Sequence, residues 1–126
     1  KKATKLFVVL LSLVIIVLNT SCSNDNTKKY EKLIIGQWQV NNAHKQLNAN
    51  SVLIWEFAPG GSFISYDDHI WSGAYVINND KLSISFPSTN ELWNYNIINL
   101  DNDYLELDEI YDDGTFSRCL LTRWSN

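Results

Sequence analysis

The chain has 126 residues, with 14 acidic against 10 basic side chains, a formal charge of −4 at pH 7 and 45% apolar residues. That length supports one domain with a sizeable core. An acidic chain with no basic patch beyond its first five residues argues against nucleic acid as a partner.

In chain order, "KKATK" is followed by "LFVVLLSLVIIVL", Leu6 to Leu18, which is apolar except for Ser12. These 13 residues are too few for a bilayer span, which needs about 20. The run also lacks the 3.6-residue polar face of a core helix. A basic start, a short apolar middle and small residues after it describe a secretory signal peptide over residues 1–21. Thr20-Ser21-Cys22 then sets a cysteine directly after small residues. This resembles the lipobox of bacterial lipoproteins, with Asn19 standing where an apolar residue is usual. The resemblance implies cleavage before Cys22, acylation of its sulfur, and lipid anchoring to the outer membrane of a bacterial envelope, on its periplasmic or surface side. Several acyl chains hold firmly because each buried CH₂ contributes about 0.8 kcal/mol. Cys119 would then be a buried, inert thiol on a strand. The competing reading pairs Cys22 with Cys119 in a disulfide.

Removal of residues 1–21 takes Lys1, Lys2 and Lys5 but no acid, leaving 105 residues with a formal charge of −7. Residues 22–32 read as the anchor cysteine and a flexible tether, because "SNDNTKK" is polar and aperiodic. Residues 33–126 read as the folded domain. Tyr30 to Ile34 suggest a short helical turn, broken by Gly36. From there period two dominates. Strands are expected at Gln37–Val40, Ser51–Phe57, "SFISY", Ile70–Ile77, "KLSISF", "ELWNYNII", "YLELDEI" and "TFSRCLLTRW". The turns between them are "APGG", "NND", "PSTN", "LDND" and "YDDG". Eight short strands joined by short turns predict an all-β fold, an antiparallel up-and-down barrel with no exposed sheet edge.

Four pieces, "GQW", "FAPGGSF", "SGAYVINNDKLSI" and the closing "LLTRW", together resemble the bacterial lipocalin-like domain over Leu33 to Trp124. The resemblance implies an eight-stranded barrel, attachment to a bacterial envelope and a small lipophilic ligand. It also implies that Trp38 packs at the barrel floor beneath Arg123, a cation over an indole face worth about 0.5–2 kcal/mol. The Thr-Asp-Tyr motif of the core lipocalins is not in this sequence.

The alternating aromatics Trp55, Phe57, Phe63, Tyr75, Trp93 and Tyr95 could line a cavity or fill a solid core. Trp55, Tyr75 and Trp93 are the strongest pocket candidates. The acids around Asp101–Asp113 read as a solvated strand face with turn acids. "DND" lacks the glycine that a calcium loop needs at its sixth position, where Glu106 stands. His44 lies in a loop, and "DDH" at Asp67–His69 puts neighbours on opposite strand faces, so no metal or other cofactor is expected. No nucleophile motif or phosphate-binding glycine loop occurs. The expectation is a non-catalytic, monomeric lipoprotein that binds a small hydrophobic ligand. The alternative is a filled barrel acting as a surface interaction or inhibitor module, with Trp71, Phe116 and Trp124 as candidate contacts.

Overall fold

The computed structural model describes residues 25–41 and 52–125. Among these residues one helix, α1 (Thr27–Leu33), precedes eight strands: β1 (Gly36–Val40), β2 (Ile54–Phe57), β3 (Ser62–Tyr66), β4 (Ile70–Asn78), β5 (Lys81–Phe86), β6 (Glu91–Leu100), β7 (Tyr104–Ile110) and β8 (Phe116–Arg123). Each strand pairs antiparallel with the next, and β1 pairs with β8 to close the barrel. The expected all-β, up-and-down barrel is therefore the fold. Period two does the sorting: β5 buries Leu82, Ile84 and Phe86 and turns Lys81, Ser83 and Ser85 outward. The β4–β5 hairpin turns through Asn79, whose φ of 55° is a conformation asparagine tolerates better than most residues.

Several boundaries move. β2 begins at Ile54, three residues later than expected. β6 runs on to Leu100 because a bulge between Ile97 and Asn99 resets the alternation, which keeps both Ile97 and Leu100 buried. The largest difference lies before the barrel. Thr27 to Leu33, most of which was expected to be tether, is helical and docked. Asn26 donates its backbone N–H to Asn79 and its side-chain amide to Asp80, and the Thr27 hydroxyl accepts from the Asn79 backbone. Tyr30 and Leu33, one helical turn apart, pack on the core. A seven-residue helix has too few turns to show a period. Its stability comes from this docking.

The two ends of the barrel differ. One end, the floor, carries α1, the β2–β3, β4–β5 and β6–β7 turns, the start of β1 and the end of β8. The other end, the mouth, carries the β1–β2 connection and the β3–β4, β5–β6 and β7–β8 turns. At the floor, Trp38 is fully buried, and its indole N–H donates to the Ile34 carbonyl at 2.8 Å. The Arg123 guanidinium lies 3.9 Å from the Trp38 ring centre. It donates to the carbonyls of Leu33 at 2.9 Å, Ile35 at 2.7 Å and Asn102 at 2.8 Å. The last carbonyls of a helix have no partner within it, so Arg123 satisfies the end of α1 while covering Trp38. Gly36 makes this approach possible. Its φ is +128°, and a Cβ there would sit 2.7 Å from Arg123 Nη1.

Candidate functional site

The six candidate lining residues join with Phe86 in one continuous cluster of rings inside the barrel. Phe57 and Phe63 have no exposed surface, and their centroids are 5.1 Å apart. Tyr75 meets Phe57 edge-on at 5.0 Å and donates its hydroxyl to the Ala58 carbonyl in a floor turn. These three rings build a solid lower interior. Trp55 is the hub between that layer and the rings above. Its centroid lies 6.5 Å from Phe57, 5.6 Å from Phe63, 6.0 Å from Trp93 and 5.8 Å from Tyr95. Trp93 in turn contacts Phe86 at 4.5 Å and is only half-buried.

Trp55 is 5% exposed, yet its indole Nε1–H is buried without a hydrogen-bond partner. Burying such a donor without an acceptor costs about 1–3 kcal/mol. The contrast is with Trp38, whose equivalent N–H is satisfied. Buried polar groups are nearly always paired, so this orphan among aromatic rings is a donor that an acceptor would satisfy.

Above this layer the inner wall becomes polar. Registers place Glu91 beside Phe86 and Glu109 beside Tyr95, hence on the inward face of β6 and β7. Ser117 stands opposite Glu109 on β8. Tyr111 donates its hydroxyl to the Glu109 carboxylate at 3.1 Å. Burial pushes the Tyr95 phenol well above its ordinary range, and Glu109, Cys119 and Tyr111 add to the shift. Burial, followed by Glu109, pushes the Cys119 thiol up to about 12. Cys119 is a free, buried thiol and stays protonated, which is the opposite of a nucleophile.

The rim is both apolar and acidic. Trp71 is 42% exposed on the inward register of β4, beside the buried Ser65. Ile70 and Phe116 are more exposed still. The turn acids do structural work: Asp67 accepts from the His69 backbone, Asp101 from Asp103 and Tyr104, and Asp113 from Thr115. Glu106 and Asp108 face outward, each 3.0 Å from Arg118. Among the described residues no group of three or more metal-ligating side chains converges. Outside the barrel at the floor, an open groove of about 570 Å³ runs between the β4–β5 turn and the β6 bulge, lined mainly by amide and aliphatic side chains.

Cys22 and His44 lie outside the described residues. Trp38 and Arg123 meet at the floor, and Trp55, Trp93 and Tyr95 meet below the mouth. The inward carboxylates were missed: Glu109 was read with the acids of Asp101–Asp113 as part of a solvated strand face, and Glu91 was not considered as a site residue. The signal was present: Glu109 shares its parity with Leu105 and Leu107, and Glu91 with Trp93 and Tyr95. No protein-family model matches the chain, and no curated protein matches it.

Proposed function

We propose that this chain is an envelope lipoprotein, anchored through acylated Cys22, whose lipocalin-like barrel takes a small hydrophobic ligand at its mouth without catalysis. The observation that carries the ligand reading is the buried, unpaired Nε1–H of Trp55 among four aromatic rings. A ligand with an apolar body and one acceptor would gain ring contact and relieve that donor. Closure of β1 on β8 leaves no sheet edge to pair, in keeping with a monomer. The docked α1 bears on the anchor as well. Cys22 lies three residues before Asp25, at most about 11 Å of extended chain. A lipidated Cys22 would hold the floor near the membrane and direct the mouth away from it.

Native mass spectrometry of the full chain extracted from envelopes tests the ligand reading. A reproducible added small mass that is lost in Trp55→Ala supports it. A bare mass, with no tryptophan fluorescence response to a panel of lipophiles, rejects it. Cys22→Ser tests the anchor, which is refuted if membrane fractionation and mass stay unchanged.

A second reading has its own support. The lower interior is solid, and Phe116 is 66% and Trp71 42% exposed at the rim. A filled barrel that presents these side chains to a protein partner would make it an interaction module. Trp124, at the floor, is half-buried.

A further inference from the structure

We infer that the mouth selects ligands by charge, favouring a lipophilic amine over a neutral lipophile and rejecting a lipophilic carboxylate. This rests on the ligand reading above and names the class of ligand for that site.

The first ground is the placement of carboxylates on the route to the rings. Glu91 is the next inward position towards the mouth from Trp93, and Glu109 is the cross-strand partner of Tyr95. Asp67, Asp68, Asp112 and Asp113 stand in the two turns that flank the opening. Among the described residues, the mouth turns and strand tips hold no lysine or arginine. His69 is the one basic side chain there, and Arg118, lower on the outer wall, faces Glu106 and Asp108. An anion entering this field is repelled and a cation attracted, most strongly at Glu109, since the other five acids are exposed and screened by solvent.

The second ground is independent of the acids. Trp55 and Trp93 lie 6.0 Å apart at an interplanar angle of 30°, with Tyr95 beside them. Indole faces carry negative potential and attract ammonium groups. The unpaired Trp55 donor lies in this same cluster, where a ligand hydroxyl or carbonyl would satisfy it. Burial raises the Tyr95 and Cys119 pKa values first, a penalty that any buried charge would meet, and Glu109 adds a second contribution that acts against anions alone.

The test is calorimetric titration of the full chain with phenylalaninol, 3-phenylpropane-1,2-diol and 3-phenyllactate, an amine, an alcohol and a carboxylate that each carry a hydroxyl for the Trp55 donor, at neutral pH, in low and in high salt. The amine should bind tightest and the carboxylate about tenfold or more weaker than the alcohol, with the spread narrowing in salt. Glu109→Gln should weaken the amine more than the alcohol and so bring the two affinities together. Glu91→Gln serves as a second variant should the first disturb folding. Equal affinity for all three overturns charge selection and keeps a ligand-binding barrel. Carboxylate binding as tight as amine binding also overturns it. Failure of all three probes to bind rejects the ligand reading itself.

Discussion

The floor and the mouth each bury a tryptophan among the barrel's inward residues, yet they solve its polar chemistry differently. At the floor, Trp38 and Arg123 send their N–H groups to main-chain carbonyls of α1 and the residues around it. At the mouth, Trp55 keeps an unpaired indole N–H, Trp93 is half-buried, and carboxylates face inward. A region that serves folding alone has every reason to satisfy its donors. Strain or an unmet donor persists where the rest of the structure can bear its cost, and functional sites are where such features gather. The comparison therefore places satisfied polar chemistry at one end of the barrel and, on the proposed ligand reading, recognition at the other.

Substitutions can break that comparison, and the largest effects belong to the floor. Trp38→Ala should cost about 3–5 kcal/mol in denaturant unfolding, since it empties a fully enclosed site and strips the cover from Arg123. Arg123→Met should cost about 2–3 kcal/mol, because the carbonyls of Leu33 and Ile35 lose their donors and Trp38 its cation. In hydrogen exchange, the amides of α1 should lose protection first. Gly36→Ala should cost about 1–3 kcal/mol, as its φ suits glycine and its Cβ would meet Arg123. A floor variant that left stability within a few tenths of a kcal/mol would sink the division of labour.

At the mouth the sign should change. Trp55→Phe keeps a ring and removes the orphan donor, so stability should move by less than about 1 kcal/mol and can even rise. Ligand affinity should nevertheless fall by about tenfold, the worth of one hydrogen bond. The smallest effect at neutral pH is that of Cys119. Its folded pKa of about 12 lies above the 9.0 of an ordinary thiol, so the unfolded chain releases this proton first. The stabilisation is complete below pH 9 and is lost as pH rises from 9 towards 12. Denaturant midpoints should decline across that window, and Cys119→Ala should flatten the decline. Tyr95 adds to the slope in the same direction.

Much of the barrel was legible because strands that face a core on one side must alternate, and these do. "KLSISF" reads as the burial pattern it adopts. The hairpin turns were legible from asparagine, aspartate and glycine. α1 was not, because two apolar residues one turn apart define no period, and the hydrogen bonds to Asn79 and Asp80 join positions more than fifty residues apart. The β6 bulge was likewise hidden, since "IINL" continues the apolar run while the register slips. The lower aromatic layer could be listed from the sequence, but not told apart from the upper one. Phe57 and Trp55 sit on the same face of one strand, and only their neighbours across the barrel make one core and the other a hub.

The sequence by itself determined the strand count, the alternation, the turns and the residues eligible to face inward, because those follow from backbone geometry and local chemistry. Only the tertiary structure decided which indole is satisfied and which is not, that Arg123 closes the end of α1, and that Glu91 and Glu109 stand beside the rings of Phe86 and Tyr95. Those facts depend on strand register and barrel closure, which bring together residues far apart in the chain.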